Sequence, residues 1–177
     1  MSTIPVPDFD AALIERYNRS GPRYTSYPTA AQFRPDFGEA QYREFATSSN
    51  LSARPLSLYL HLPFCARLCF YCGCNKIVTK NRARAAPYLE RLHREIALQG
   101  ALFDRTRRVE QLHWGGGTPT FLAREEMREL MDVTRAHFNL RADDSGEYGI
   151  ELDPREVSPG TLALLRELGF NRASLGV

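Results

Sequence analysis

From residue 56 onward the chain keeps one rhythm: a short segment of alternating apolar and polar residues, then a longer one with apolar residues at helical spacing. Strand signals fall at 56–62, 109–114, 148–152 and 172–177, and helix signals at 85–103, 125–138 and 158–168. Strands that alternate with helices in this way read as βαβ units, whose crossovers make the strands parallel. In the first helix Tyr88, Leu89, Leu92 and Ile96 share a face; in the second Met127, Leu130, Met131, Thr134 and Phe138 do. The third is punctuated by Ser158 as N-cap, Pro159 at its first position and Gly169 just past its end.

The strands narrow the fold further. Leu58, Leu60 and Leu62 oppose Tyr59 and His61, and Leu112 and Trp114 oppose Gln111, His113 and Gly115. Ile150 and Leu152 oppose Glu151 and Asp153, and Ala173, Leu175 and Val177 oppose Arg172, Ser174 and Gly176. Side chains alternate faces along a strand, so each strand has one apolar and one polar face. A doubly wound sheet buries apolar residues on both faces. A polar inner face with helices outside fits a barrel with a ligand-filled interior, whose site lies at the C-terminal strand ends. The expected fold is therefore α/β, the first four βα units of a parallel barrel. A cysteine loop, a glycine triplet at 115–117 and Glu151 to Asp153 all fall at those ends.

Residues 1–50 read differently and are expected to form an N-terminal arm ahead of a barrel at 51–177. A short helix fits 8–17, an extended segment bounded by turn signals fits 21–29, and a helical turn or two fits 37–45. The chain stops at Val177 inside the fourth expected strand, so the sequence reads as the front part of a longer protein. Its 43% hydrophobic and 25% charged residues suit one globular core. A formal net charge of +2 favours neither nucleic acid nor a membrane surface. No apolar run reaches the ~18 residues of a membrane span, and the first residues lack the apolar centre of a secretory signal, which points to a cytoplasmic location.

All four cysteines lie in Cys65-Ala-Arg-Leu-Cys69-Phe-Tyr-Cys72-Gly-Cys74. The first three have the spacing C-x3-C-x2-C. Three thiolates can hold three corners of a [4Fe–4S] cluster and leave the fourth iron open to a ligand with an amine and a carboxylate. A short loop brings such ligands together at little closure entropy. Four-cysteine zinc sites usually split into two distant C-x2-C pairs, and disulfide frameworks belong to secreted chains. A zinc-stabilised binding module remains as a contrasting reading. The spacing resembles that of the radical S-adenosylmethionine (radical SAM) enzymes.

Further segments narrow the resemblance: Gly21-Pro-Arg-Tyr-Thr-Ser-Tyr-Pro-Thr29, Tyr59-Leu-His-Leu-Pro-Phe-Cys65, Cys69-Phe-Tyr-Cys-Gly-Cys-Asn-Lys-Ile-Val-Thr79, His113-Trp-Gly-Gly-Gly-Thr-Pro-Thr120 and Ile150-Glu-Leu-Asp-Pro-Arg-Glu156. Together they resemble the oxygen-independent coproporphyrinogen III oxidases, from about residue 8 to 177. The fourth cysteine, the Asn-Lys after it and the Pro-Arg-Tyr arm separate this resemblance from a related radical-SAM haem chaperone. That chaperone shares the three-cysteine core and the glycine triplet, and is the alternative reading, a scaffold without porphyrinogen turnover.

The resemblance implies a partial (β/α)6 radical-SAM barrel behind an N-terminal arm. It implies Cys65, Cys69 and Cys72 as cluster ligands. Tyr59 would contact the S-adenosylmethionine bound there, an aromatic ring being suited to a sulfonium. Gly115, Gly116 and Gly117 would let the backbone meet its methionyl amino group, and Glu151 would accept hydrogen bonds from its ribose. Tyr71, Cys74, Gly116 and Thr118 would border a second S-adenosylmethionine. Arg23 in the arm would clamp a carboxylate of the substrate, and Asp153, before a proline, would be structural. The implied reaction is oxidative decarboxylation of two propionates of coproporphyrinogen III to vinyls, giving protoporphyrinogen IX for haem synthesis. The implied partners are the porphyrinogen and a small electron-donor protein, with the enzyme a monomer.

Overall fold

The computed structural model describes residues 9–18, 29–52, 54–69 and 72–176. Chain contacts divide it into two units, Met1–Gly38 and Glu39–Val177. Arg23, with the rest of 19–28, and Tyr71 lie outside the described residues. In the first unit Asp10 caps helix α1 (Ala11–Tyr17), its carboxylate accepting the Leu13 N–H at 2.9 Å. That helix buries none of its residues.

The second unit opens with helix α2 (Glu39–Ser48) and strand β1 (Leu56–Leu62), followed by two-residue strands β2 (Phe64–Cys65) and β3 (Ile77–Val78). Then come helix α3 (Ala85–Gly100), strand β4 (Arg108–Gly116), helix α4 (Arg124–His137), strand β5 (Asn139–Leu140), strand β6 (Glu147–Leu152), helix α5 (Pro159–Glu167) and strand β7 (Arg172–Leu175). The main sheet runs β1-β4-β6-β7, with every pairing parallel and β5 against the start of β4. This is the α/β half-barrel that the strand–helix rhythm predicts.

Period two sorts the side chains. Leu60, Leu62, Leu112, Trp114, Ile150 and Leu152 are buried on one face of the sheet. Leu89, Leu92 and Ile96 of α3, Met127, Leu130 and Met131 of α4, and Leu164 and Leu165 of α5 join the same core. Trp114 is fully buried and meets the Phe170 ring edge-on, centroids 5.0 Å apart. On the other face Tyr59 is 57% exposed, and His61, His113 and Glu151 are partly so. Along β7 Ala173 and Leu175 are exposed on the apolar side.

Local signals explain the ends. Ser158 Oγ accepts the Thr161 N–H at 3.2 Å ahead of Pro159, and Gly169 closes the helix end with φ +100°. Helix α3 stops at Gly100, three residues short of the predicted 103, where a Cβ would stand 2.9 Å from His137. Strand β4 runs two residues past the predicted Trp114, because Gly115 and Gly116 continue the ladder against His61 and Leu62. Buried Arg107 ties the entry of β1 to the start of β4, donating to Arg54 O and Ser49 Oγ at 2.8 Å each and to Asn50 Oδ1 at 3.0 Å. Among the described residues no helix is long and apolar enough to cross a membrane.

Trp114→Ala is expected to cost about 3–5 kcal/mol through the cavity it leaves. The indole N–H has no hydrogen-bond partner among the described residues, so Trp114→Phe should cost clearly less. Denaturant titration of the two variants checks both expectations.

Candidate active site

The cysteine loop is pinned at its base. The Ile77 N–H donates to Pro63 O at 2.7 Å and the Thr79 N–H to Cys65 O at 2.9 Å, pairing β2 with β3. Two more bonds fasten that base to the end of β4: Gly117 N–H to Leu62 O and Thr118 N–H to Phe64 O, both 2.8 Å. The approach leaves no room for a side chain, since a Cβ on Gly117 would lie 2.6 Å from Phe64 O. Gly116 has φ +107°, and a Cβ there would sit 2.4 Å from the His61 ring.

Above this base Cys65, Cys69, Cys72 and Cys74 line a cavity of about 300 Å³ with Gly116, Gly117, Thr118, Glu151 and Asp153. Cys65 is buried and Cys74 is exposed. Burial pushes the Cys65 thiol up, Thr118 hydrogen bonding works against this, and the neighbouring Cys72 and Cys69 add to the rise. Cys72 is held below the usual thiol value, first by the Cys74 backbone N–H and further by nearby Lys76. Cys74 is pushed up by burial and by Cys72.

A polar chain crosses the floor. Glu151 accepts the Gly116 N–H at 3.0 Å and meets His113 Nε2 at 3.4 Å. The His113 ring stacks on Tyr59, centroids 5.9 Å apart and planes 11° from parallel. The Tyr59 hydroxyl meets His61 Nδ1 at 3.1 Å, and His61 Nε2 lies 2.9 Å from the Asn75 carbonyl. A carbonyl only accepts, so Nε2 carries the proton and, in the neutral ring, Nδ1 accepts from Tyr59. Burial raises the Tyr59 hydroxyl, and the Glu151 and Cys74 charges raise it further. Room for these rings comes from glycine: a Cβ on Gly149 would meet His113 Nδ1 at 2.9 Å, and one on Gly115 would meet the Glu151 carboxyl at 2.9 Å.

The fold thus brings together Tyr59, Cys65, Cys69, Cys72, Cys74, Gly115, Gly116, Gly117, Thr118 and Glu151. Asp153 lines the same cavity, but its carboxylate is taken up by its own turn. It is buried, caps the turn Pro154–Glu156, and is held below its usual carboxylate value by hydrogen bonds from Arg155. Sequence reasoning gave no role to His61, His113 or Arg155. Their period-two position beside Tyr59 signals the two histidines; a turn residue such as Arg155 has no such signal.

Among the described residues no three His, Cys, Asp or Glu side chains group closely enough to hold a single metal ion. A cluster asks instead for thiols on separate corners of one cavity, with a bare backbone beside the open corner. The four thiols and the Gly116–Gly117 cradle fit that demand, and the Glu151 carboxylate lines the same cavity.

A parallel half-barrel with thiols and a glycine cradle at its C-terminal strand ends is the arrangement of the radical SAM class, and residues 59–177 match the model of the Radical SAM superfamily. The oxygen-independent coproporphyrinogen III oxidase of Pseudomonas aeruginosa is 58% identical over 169 residues, covering 96% of this chain and 37% of its own length. That of Escherichia coli is 51% identical, covering 96% and 36%, and that of Mannheimia haemolytica 46% identical, covering 82% and 97%. A solved structure of coproporphyrinogen III oxidase from Escherichia coli, described as a radical SAM enzyme, matches with a TM-score of 0.81 at 47% identity, over 96% of this chain and 36% of that one. The chain belongs to the oxygen-independent coproporphyrinogen III oxidase family of the radical SAM superfamily. It spans little more than a third of the length of the Pseudomonas and Escherichia relatives.

Gly116→Ala should destabilise by at least about 1–3 kcal/mol, because the positive φ and the His61 ring both oppose a methyl group. Gly73→Ala, with open space around its Cα, should stay within about 0.5 kcal/mol of the parent. Thermal melts of both variants provide the comparison.

Proposed function

We propose that this chain supplies the cofactor-binding part of an oxygen-independent coproporphyrinogen III oxidase, which converts two propionates to vinyls and yields protoporphyrinogen IX. The observation that carries this is the single cavity shared by Cys65, Cys69, Cys72, the Gly116–Gly117 backbone and Glu151. Held there by Cys65, Cys69 and Cys72, a [4Fe–4S] cluster with S-adenosylmethionine would supply radical chemistry at a propionate β-carbon. The substrate would lose a hydrogen atom, CO2 and one electron, the electron passing to an external acceptor, and a vinyl group would remain.

The chain's residues do the holding and the shielding. Cys65, Cys69 and Cys72 ligate, and Cys65, being buried, keeps its corner from water. Glu151 accepts from the ribose hydroxyls, with His113 and the Gly116 N–H fixing its carboxylate beforehand. Tyr59 lends its ring to the sulfonium side, steadied by the His113 stack. Gly115, Gly116 and Gly117 offer backbone to the methionyl amino group. Tyr71, Cys74, Gly116 and Thr118 border a second S-adenosylmethionine. Arg23 clamps a substrate carboxylate. The electron comes from a small donor protein, the enzyme acts as a monomer, and free thiols of this kind suit the reducing cytoplasm.

Iron and sulfide analysis of anaerobically reconstituted protein tests the ligand set. Cys65→Ala, Cys69→Ala and Cys72→Ala should each lose the cluster, and Cys74→Ala should keep it. Full iron in Cys69→Ala, or loss in Cys74→Ala, contradicts the assignment.

Glu151→Ala should weaken S-adenosylmethionine binding by about 1.5–3 kcal/mol per lost charge-assisted hydrogen bond. Calorimetry with unchanged affinity in that variant removes the role.

A further inference from the structure

The turn after β6 carries a charged device that none of these roles uses. Asp153 is only 7% exposed, and three nitrogens of Arg155 donate to it. The Arg155 backbone N–H reaches Oδ1 at 2.9 Å, Nε reaches Oδ1 at 2.9 Å, and Nη2 reaches Oδ2 at 2.7 Å. The side-chain pair is bidentate, and such pairs hold a guanidinium in one orientation. The same Nη2 lies 3.9 Å from Cys69 Sγ, 86 positions away in sequence. One residue on, Glu156 meets Arg67 of the cysteine loop, Oε1 to Nε 3.5 Å. The 67–69 side of that loop is thus tied to the turn by two charged contacts.

The nitrogen that holds Asp153 Oδ2, Nη2, is also the one that faces Cys69 Sγ, so anchoring the guanidinium fixes a cationic N–H group beside that thiol. A brace for the turn alone would need only the backbone N–H and the Asp153 carboxylate. The side chain of Arg155 goes further and stops at a thiol.

We propose that Arg155, anchored by Asp153, positions Cys69 and sets the reduction potential of the cluster that Cys69 helps to hold. One electron from an external reductant enters; no bond breaks and no proton moves. The added negative charge spreads onto the thiolate corners, and a fixed guanidinium at one corner stabilises it. Net charge and hydrogen bonds to the sulfurs are among the factors that set such potentials. The proposal rests on the radical SAM reading of the site.

The test is a dithionite titration, followed by electron paramagnetic resonance, of the anaerobically reconstituted protein after its iron and sulfide have been counted. Arg155→Met is expected to keep both, yet at a fixed potential to show a reduced-to-oxidised ratio about tenfold below the parent's, equivalent to about 59 mV for one electron. Arg155→Lys keeps the charge without the fork, so its ratio should fall between the two. Arg155→Met with a full cluster and the parent's ratio overturns the proposal. If Arg155→Met sheds its cluster, the Lys variant carries the test: a ratio below the parent's supports the proposal, and an unchanged one overturns it. A parent protein that takes up no iron or sulfide overturns the radical SAM reading, and the proposal with it.

Discussion

Everything at the site depends on a parallel sheet whose apolar face is packed under helices while its other face carries rings, carboxylates and glycines. The ladder register turns this into rows. Tyr59, His113, Gly149 and Arg172 stand in one row across β1, β4, β6 and β7. One step further along, His61 pairs with Gly115 and Glu151 with Ser174. Each large side chain has a glycine for a neighbour: Glu151 lies over Gly115 and His113 over Gly149. A methyl group at either place would push Glu151 or His113 aside, so the glycines matter here for space as much as for backbone freedom.

The second constraint is on the loop that the sheet presents. A stretch with four thiols and few apolar anchors has little reason to hold one shape. Its ends are therefore fixed by short parallel pairing of β2 with β3 and by the Gly117 and Thr118 bonds to the end of β1 and to β2. Closing a loop this short costs little entropy, which keeps the thiols close to their cavity. Arg155 and Glu156 reach the far side of the same loop from β6. The loop is thus held from two strands that are distant in sequence.

The charges divide into two kinds. Arg128 with Glu167 and Arg166 with Asp144 are exposed on both sides, and such pairs add little to stability. Asp153 is buried and its partner is directed, so its worth lies in orientation. His113 plays a similar part for Glu151, linking it to the Tyr59 ring.

The strands, the helices and their order were legible in the chain, because periods of two and 3.6 are written locally in residues such as Leu58, Leu60 and Leu62 or Leu89, Leu92 and Ile96. The polar face that carries Tyr59 and Glu151 came from the same alternation, and the cysteine spacing and Ser158-Pro159 needed only neighbours in sequence. The pairing of Phe64–Cys65 with Ile77–Val78 was not legible, since two residues carry no period and only hydrogen bonds across the loop define it. The extension of β4 through Gly115 and Gly116 was decided by β1, which supplies the ladder that glycine alone would not favour. The contact of Arg155 with Cys69 joins residues 86 apart, and nothing in either residue's surroundings in sequence announces it. Local sequence determined which residues could serve; tertiary structure decided which of them meet, because contact across strands depends on register and loop closure, which belong to the folded chain as a whole.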